Sequence, residues 1–291
     1  MLTIAYLGPE KTNTHVAAQV RFRTGARYVH APTVDEVFHL VERRRATYGV
    51  VPIENSIEGS VTHTLDRFVD FIDSPIKIQG EIELPIRHHL LVHRQASLSD
   101  IRVVLSHPQA LSQCQSWLEE ELPNAVCLET NSTAEAAEKV ADPIEMRTWL
   151  EGQDEPRTSI EPEERAAIGR SELARQYKLR AIPIQEQRDN KTRFLVLGLG
   201  EPKRSRRSKT SILFSVKDKP GALHDALVAF KNNRINMTKI ESRPSKRKAW
   251  EYLFFVDIEG HESEPRVKRA LKALGRSTSL LRVLGSYPIA R

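Results

Sequence analysis

The fold is decided by the stretch Val50–Val61, which reads Val-Val-Pro-Ile-Glu-Asn-Ser-Ile-Glu-Gly-Ser-Val. An apolar run turns abruptly into polar and turn-forming residues, and apolar spacing returns over residues 61–69. This order predicts a buried strand, an exposed loop and a helix. In an open α/β sheet, ligands bind at the loop that follows a strand's carboxyl end, and this loop offers carboxylates, an amide and hydroxyls. The alternative is an ordinary strand-to-helix loop in which Ser60 is the N-cap.

Length and composition place the chain among globular proteins. It has 291 residues, so we expect about two domains with sizeable cores. No apolar run approaches the ~20 residues of a membrane helix, and the first residues lack the pattern of a secretory signal. The two cysteines, Cys114 and Cys127, form no Cys-x-x-Cys pattern, which argues against a disulfide framework and against a structural zinc site. A cytoplasmic protein is the expectation.

The formal net charge of +6 is unevenly distributed along the chain. Residues 201–291 carry 21 Lys and Arg against 9 Asp and Glu, a net of +12, whereas residues 1–200 carry 23 against 29, a net of −6. The densest basic segments, 203–209 and 246–248, are interpreted as a solvated linker and a hairpin loop. No aromatic residue interleaves with the first segment, so nucleic-acid binding is only a minor alternative.

The first 200 residues alternate between apolar runs and amphipathic segments, joined by polar loops. This alternation predicts an α/β fold with a mostly parallel sheet, in two lobes. A cleft between lobes is a usual ligand site. Segment 142–165 has three prolines and many acidic residues, and we interpret it as an exposed insertion. Predicted strands are 2–7, 48–51, 76–84, 88–92, 101–105, 126–128, 166–168 and 194–199.

Three polar loops open predicted helices in this part. Thr14 is a candidate N-cap in the first loop, at a helix N-terminus that favours anions. The second loop lies within Ser106–Cys114, where Pro108 suits the first position of the predicted helix. The third, Asn131–Ala137, has Asn or Ser followed by Glu135, a capping-box pattern. From these stretches alone, capped helix starts and ligand-binding loops are both open.

The pattern changes after residue 209. Strands are predicted at 211–216, 235–240, 250–258 and 279–283, with helices at 222–230 and 267–274. The β-α-β-β-α-β order predicts a separate ferredoxin-like domain.

Four stretches together resemble the prephenate dehydratase family: 52–61, 106–114, 131–137 and 192–194. The C-terminal part resembles the family's ACT regulatory domain. The resemblance implies a two-lobed catalytic domain like a periplasmic binding protein at 1–200. Its lobes would be about 1–80 plus 182–200 and about 81–181, followed by a linker at 201–209 and an ACT domain at 210–291.

The resemblance also implies an activity. Prephenate would be converted to phenylpyruvate, carbon dioxide and water, with no metal or organic cofactor, and L-phenylalanine would regulate the enzyme at the ACT domain. We expect a homodimer or homotetramer, with no nucleic-acid or membrane partner. The alternatives are an arogenate dehydratase, a non-catalytic small-anion binding protein and, for the C-terminal domain, a purely structural dimerisation role.

The family's functional residues map onto three groups of positions in this chain. The catalytic candidates are Thr192, Arg193, Ser106, Gln113, Asn55 and Glu54. The substrate-binding candidates are Thr12, Thr14, Ser56, Gly59, Ser60, Asn131, Ser132, Thr133 and Phe194. The phenylalanine-binding candidates are Gly221, Ala222, Leu223, Glu241, Ser242, Arg243 and Pro244.

The resemblance gives roles to three of these. Thr192 would contact the leaving hydroxyl as a positioned donor. Arg193 would pair with a substrate carboxylate or form a structural ion pair. Glu54 would orient the loop, because a carboxylate repels a dianion unless it is protonated or paired.

The chain departs from the family pattern in the first loop and in segment 142–165. Lys11 stands where the family has Gly or Ala, and Asn13 stands where it has an aromatic residue. Segment 142–165 is longer than is usual. No chorismate mutase segment precedes residue 1, so the monofunctional form is expected.

Overall fold

The first 200 residues form a mixture of strands and helices, as the hydrophobic pattern predicts. A computed structural model of the chain describes residues 1–144, 146, 160–184, 190–202, 204–245 and 251–290. The strands are β1 (Leu2–Leu7), β2 (Ala26–Ala31), β3 (Tyr48–Asn55), β4 (Gly59–Ser60), β5 (Ile76–Pro85), β6 (His89–Val92), β7 (Val103–Ser106), β8 (Val126–Glu129), β9 (Arg165–Gly169), β10 (Arg180–Pro183), β11 (Lys191–Leu199), β12 (Ser208–Val216), β13 (Met237–Pro244), β14 (Tyr252–Glu259) and β15 (Thr278–Pro288).

The helices of the described residues are short and amphipathic. Within the described part of the chain, no helix is long and apolar enough to cross a membrane. Their bounds are α1 (Asn13–Phe22), α2 (Val34–Glu42), α3 (Thr62–Asp70), α4 (Pro108–Gln113), α5 (Gln115–Glu121), α6 (Thr133–Ala141), α7 (Ser171–Tyr177), α8 (Ala222–Asn232) and α9 (Pro265–Ser277).

Helix starts follow the capping residues. Ser132 Oγ accepts from Glu135 N at 3.0 Å at the start of α6, so the predicted capping interaction is confirmed. Pro108 occupies the first turn of α4, and His107 Nδ1 caps it by accepting from Gln109 N at 3.2 Å. Thr14 as the N-cap of α1 is wrong, because that helix begins one residue earlier and Thr14 lies inside it.

The chain divides into two compact units. The first unit comprises Met1–Pro9, Asn13–Leu84 and Lys191–Arg291, and the second comprises Glu10–Thr12 and Pro85–Asn190. Each unit is therefore built from separate pieces of sequence. The C-terminal sheet belongs to the same compact unit as the N-terminal one.

The first unit holds a six-stranded sheet of order β2-β1-β3-β11-β5, with β4 paired to β3. Strand β1 is parallel to both β2 and β3, but β11 is antiparallel to β3. The prediction of a mostly parallel sheet is therefore wrong here, because β11 runs against its neighbour β3. Strand β2 was not predicted, because Arg27 and His30 interrupt its apolar residues.

The second unit holds a five-stranded sheet of order β10-β6-β9-β7-β8. Its β7, β8 and β9 are parallel, whereas β6 and β10 are antiparallel to their neighbours. Apolar clusters pack on both faces. Most of the predicted insertion 142–165 lies outside the described residues. Its last residue, Arg165, opens β9 and is 2% exposed, so the prediction of an exposed segment is wrong at that position.

The C-terminal sheet has the order β13-β14-β12-β15, with every neighbouring pair antiparallel. Helices α8 and α9 pack with it over an apolar core. The predicted ferredoxin-like order is confirmed. Strand β12 begins at Ser208, inside the predicted linker 201–209, and Lys209 is 4% exposed. Lys209 is thus a buried strand residue, and its prediction as part of a solvated linker is wrong. The predicted basic hairpin loop lies outside the described residues.

One apolar core joins the two sheets of the first unit. Phe68 of α3 and Ile78 of β5 share a cluster with Phe255, Leu284 and Tyr287 of the C-terminal sheet. The rings of Phe68 and Phe255 lie 6.3 Å apart. Because burial of apolar surface stabilises contacts in proportion to area, the C-terminal sheet and the N-terminal sheet stabilise each other.

Two glycines give opposite expectations for a glycine-to-alanine change. A Cβ at Gly285 in β15 would meet the Ile78 carbonyl oxygen far inside van der Waals contact. We expect Gly285→Ala to lower the free energy of unfolding by about 1–3 kcal/mol. At Gly275 in α9 a Cβ would meet only Leu281, at an ordinary contact distance of 3.6 Å, so Gly275→Ala should be neutral or stabilise by about 0.5–1 kcal/mol. Urea unfolding of both variants tests this, and equal effects would contradict the close approach of β15 and β5.

Candidate functional site

The decisive stretch forms a strand, a tight turn and a helix. Strand β3 is buried as far as Asn55, residues 56–59 are exposed, and β4 pairs back onto β3 through Glu54–Ser60 and Asn55–Gly59. Gly59 has φ of +86°, a left-handed conformation that glycine adopts readily. Helix α3 follows, but its N-cap position is Val61 and carries no side-chain hydrogen bond. The alternative in which Ser60 caps the helix is therefore wrong.

Asn55 and Thr192 meet across neighbouring strands. The two residues are register partners in the β3–β11 ladder, and Asn55 Nδ2 donates to Thr192 Oγ1 at 3.1 Å. Asn55 Oδ1 accepts from the turn amides of Ile57 at 2.9 Å and Glu58 at 3.2 Å. These amides fix the orientation of the Asn55 side chain. Since Thr192 Oγ1 accepts from the amide, its own hydrogen can be donated to another group.

The turn is also tied to the start of β11. Ser56 N donates to Lys191 O at 2.9 Å, and Lys191 N donates to Ser56 Oγ at 2.9 Å. Ser56 thus positions the turn through its hydroxyl and its amide. Phe194, three residues along β11 from Lys191, is 1% exposed and packs inside the first unit.

Arg193 lies in a cluster of carboxylates that pairing of β11 brings together. Its Nη1 lies 3.2 Å from Glu54 Oε2 and 3.8 Å from Asp257 Oδ2, and its Nε lies 3.9 Å from Glu81 and 3.8 Å from Glu83. Successive strand residues point to opposite faces, so Arg193 and Thr192 face different sides of the sheet. In this structure Arg193 is an ion-pair residue, and a substrate contact for it stays a prediction.

The charges of this cluster shift two pKa values. Desolvation lowers the pKa of the Arg193 guanidinium, but Glu81, Glu54, Asp257 and Glu83 together outweigh it and raise that pKa. Desolvation raises the pKa of the Asp257 carboxyl, and Lys209, Ser211 and Arg193 oppose it only in part. Burial of charged groups is costly unless they are paired. Three cations pair with four carboxylates in this cluster, and this pairing offsets the cost of burial.

Lys239 and Lys209 complete the cluster from the C-terminal sheet. Lys239 Nζ lies 3.1 Å from Glu54 Oε1 and donates to Ser60 Oγ at 2.7 Å. Lys209 Nζ lies 2.8 Å from Glu81 Oε2, whose side chain is fully buried. Glu54 is therefore paired on both oxygens in this structure, which suits the predicted orienting role.

The second unit has its own polar group around Gln113, at the end of α4. Gln113 Oε1 accepts from Asn190 Nδ2 at 3.0 Å and lies 2.8 Å from His88 Nε2, which therefore donates. His88 and Asn190 are both buried. Neither of these two residues was predicted from the sequence, because each lies alone in a loop outside the recognisable motifs. They hold the Gln113 side chain in one orientation.

The other candidates of the second unit act locally. Ser106 is fully buried at the end of β7, and its hydroxyl donates to Ile168 O at 2.8 Å. Ser132 caps α6, Thr133 is the first residue of that helix, and Asn131 N donates to Glu135 Oε2 at 3.0 Å. Substrate contacts for these residues stay predictions.

The first loop contains two of the departures from the family pattern, Lys11 and Asn13. Lys11 has φ of +69°, and its Nζ donates to Tyr177 Oη at 3.3 Å and lies 5.0 Å from the centre of that ring. Thr12 belongs to the same short piece of the second unit. Asn13 is the first residue of α1 and Thr14, the second, is buried. The lysine is thus held by a hydrogen bond and by the aromatic face.

The C-terminal sheet carries an open pocket of about 580 Å³. Gly221, Ala222 and Leu223 line it together with Tyr252 and Phe254. Gly221 has φ of +77° at the start of α8. The described lining includes none of the residues 241–244.

Residues 241–244 lie on β13, and two of them, Glu241 and Arg243, contact the N-terminal sheet's hairpin and helix. Glu241 Oε2 accepts from Ser60 Oγ at 3.0 Å. Arg243 forms two hydrogen bonds to the Asp66 carboxylate, at 2.9 and 3.2 Å. The two predicted effector elements therefore lie in different surroundings within one chain.

The raised pKa of Asp257 gives a pH dependence of stability. A carboxyl whose folded pKa exceeds its unfolded value near 3.8 stabilises the fold fully below that unfolded value, and the contribution is lost as pH rises through the folded pKa. We expect the difference in unfolding free energy between the parent chain and Asp257→Asn to decrease as pH rises from about 4. Urea unfolding across this range measures it. The exposed Glu259→Gln on β14 is the control, and a difference that grows with pH would contradict the assignment.

Two family models match the chain. The family model described as prephenate dehydratase matches residues 4–202, and the ACT domain model matches residues 210–276. A bifunctional chorismate mutase/prephenate dehydratase of Aquifex aeolicus is 47% identical over 99% of this chain and 74% of its own length. A prephenate dehydratase of Bacillus subtilis is 33% identical over 98% of both chains.

A solved structure gives the same result. Prephenate dehydratase from Arthrobacter aurescens, in complex with L-Phe, superposes with a TM-score of 0.83 at 32% identity, covering 99% of this chain and 90% of that one. The monofunctional form stays a prediction. On the family model, the relatives and the fold, the chain belongs to the prephenate dehydratase family and carries an ACT domain after its dehydratase domain.

Proposed function

We propose that the Asn55–Thr192 pair is the proton-donating part of the dehydratase site. The overall reaction takes up one proton: prephenate loses its quaternary carboxylate as carbon dioxide and its ring hydroxyl as water, and phenylpyruvate is formed. The electron pair of the broken carbon–carboxylate bond enters the ring as the hydroxyl leaves. The site must therefore supply a hydrogen-bond donor to the leaving oxygen.

The observation that carries the proposal is the 3.1 Å hydrogen bond from Asn55 Nδ2 to Thr192 Oγ1. A threonine hydroxyl is a poor acid in water. A hydrogen bond accepted from the fixed amide polarises the hydroxyl and aims its hydrogen away from Asn55. Thr192 then acts as a positioned hydrogen-bond donor to the leaving hydroxyl and relays a proton to it, which solvent water replaces on Oγ1, and Asn55 orients the threonine.

Positioning accounts for the rest of the arrangement around Thr192. The Asn55 amide is held by two turn amides, and Ser56 ties the turn to Lys191. A donor that is oriented before the substrate binds needs no reorganisation during the reaction, which is a large part of catalytic rate enhancement. Glu54 and Arg193 support the two strands from the opposite face of the sheet.

Removal of the Thr192 hydroxyl tests this assignment. We expect Thr192→Ala to lower kcat for phenylpyruvate formation by about 10²–10⁴-fold, the usual contribution of a general acid, with little change in unfolding free energy. Thr192→Ser keeps the hydroxyl and should retain most of the activity. Near-normal turnover by the alanine variant would refute the role.

The same assay separates the alternative functions. Arogenate, offered in parallel with prephenate, identifies the preferred substrate. A well-folded chain that turns over neither compound would be a non-catalytic binding protein. The family assignment favours prephenate as substrate.

We also propose that the pocket at Gly221–Leu223 binds L-phenylalanine and that binding lowers turnover. The support is the ACT domain match, the L-Phe complex of the Arthrobacter relative and an open pocket of about 580 Å³ at the predicted element. Backbone amides at the start of α8 suit the amino acid's carboxylate, and Tyr252 and Phe254 offer apolar surface to its ring. Assembly as a homodimer or homotetramer stays a prediction that light scattering tests.

Gly221→Ala tests the effector site. The left-handed φ strains any residue with a Cβ by about 1–3 kcal/mol, so the loop should shift and L-phenylalanine should bind at least tenfold more weakly, measured by calorimetry. Turnover without effector should stay near the parent value. Gly25→Ala is the matched control, since Gly25 has φ of +98° and open surroundings away from the pocket. Unchanged affinity in Gly221→Ala would place the effector site elsewhere.

A further inference from the structure

The hairpin that carries Asn55 is held by strand β13 of the C-terminal sheet. Lys239 contacts Glu54 on β3 at 3.1 Å and Ser60 on β4 at 2.7 Å, so it spans both arms of the hairpin. Ser60 also donates to Glu241 at 3.0 Å. Glu54 is the neighbour of Asn55 in sequence. A displacement of β13 would therefore act directly on the residues that frame Asn55.

Strand β11 is held by the same sheet through Arg193. Asp257 on β14 lies 3.8 Å from Arg193 Nη1 and 4.0 Å from Lys209 Nζ, and it accepts a hydrogen bond from Ser211. Arg193 is the neighbour of Thr192 in sequence. The two residues proposed to act in the reaction, Asn55 and Thr192, thus each have a neighbour that is ion-paired to the C-terminal sheet.

Strand β14 connects this cluster with the effector pocket. Tyr252 and Phe254 line the pocket, whereas Leu253 and Phe255 belong to the core shared with the N-terminal sheet. Side chains alternate between the faces of a strand, so β14 presents one face to the pocket. Its other face lies against the core and ion pairs between the two sheets, which we call the joint. Asp257 continues the second face, about 17 Å from Tyr252 at a rise of about 3.3 Å per residue.

The joint has room for rearrangement. A cavity of about 20 Å³ lies among Arg193, Lys239, Asp257, Phe68 and Phe255. A volume of this size holds about one water molecule. The Arg193–Asp257 ion pair that lines it is long, at 3.8 Å, and leaves room for a closer contact.

We propose that the cluster of Glu54, Arg193, Lys209, Lys239 and Asp257 couples the effector pocket to the Asn55–Thr192 pair. Occupancy of the pocket moves β14 and β13, and the cluster passes this movement to β11 and to the β3–β4 hairpin. The inference rests on the proposed function of both sites. It assigns Asp257 and Lys239 as positioning residues that act through Arg193 and Glu54.

Asp257→Asn is the first test, with Glu259→Gln at an exposed position of β14 as its matched control. Turnover of prephenate is measured without L-phenylalanine and at saturation, and L-phenylalanine binding is measured by calorimetry on the same protein. Allosteric coupling typically changes affinity or activity 5–150-fold. We expect suppression at saturation to be at least fivefold weaker in Asp257→Asn, with effector binding within about threefold of the parent. The control should behave as the parent does.

Lys239→Met provides an independent test if Asp257→Asn does not fold. Methionine keeps the apolar stem of the lysine but removes its contacts with Glu54 and Ser60, and Lys268→Met on the exposed surface of α9 is the control. The same loss of suppression with retained binding is expected. Suppression equal to that of the parent in the folded variants would overturn the proposal, as would loss of effector binding itself, since the residues would then act at the pocket.

The reference measurements separate this inference from the proposed function. If the parent chain forms no phenylpyruvate, or L-phenylalanine does not suppress its turnover, the proposed function fails and the coupling proposal falls with it. If the parent is active and suppressed but the variants are suppressed equally, only the coupling proposal fails.

Discussion

The antiparallel pairing of β11 with β3 is the constraint on which the rest of the first unit depends. It joins residues 137 positions apart in sequence, because Asn55 and Thr192 are register partners. It closes the chain after the second unit and fixes the six-stranded sheet. The same pairing places Arg193 beside Glu54, and these two residues form ion pairs with Asp257 and Lys239 of the C-terminal sheet. A slip of one residue would exchange the faces of Thr192 and Arg193.

Buried ion pairs between two sheets differ from apolar contacts in how a substitution affects stability. The desolvation of Glu81 and Lys209 offsets much of their mutual attraction, so the cluster adds little net stability. Removing one partner, however, leaves the others buried and unpaired, which costs about 3–5 kcal/mol in comparable cases. The apolar core around Phe68 and Phe255 provides the affinity between the sheets.

The second unit shows how polar residues of a site are held by partners that carry no motif. Gln113 has a defined orientation because His88 and Asn190 donate to its carbonyl oxygen. Ser106, by contrast, is fully buried and bonded to the backbone of β9. A residue in a recognisable motif can therefore serve the shape of the loop, while isolated residues orient the group beside them.

The sequence by itself determined most of the elements and the family. The apolar run before Asn55, the capping pattern at Ser132 and the β-α-β-β-α-β order are local signals, because they depend on residues a few positions apart. Only the tertiary structure decided the direction of β11, the burial of Lys209 and Arg165, and the pairing of Arg193 with Glu54 and Asp257. These depend on contacts between residues tens to hundreds of positions apart, where side-chain periodicity carries no information about partners. Neighbouring strand residues of one motif, Thr192 and Arg193, were thus separated into two roles by the face of the sheet on which each lies.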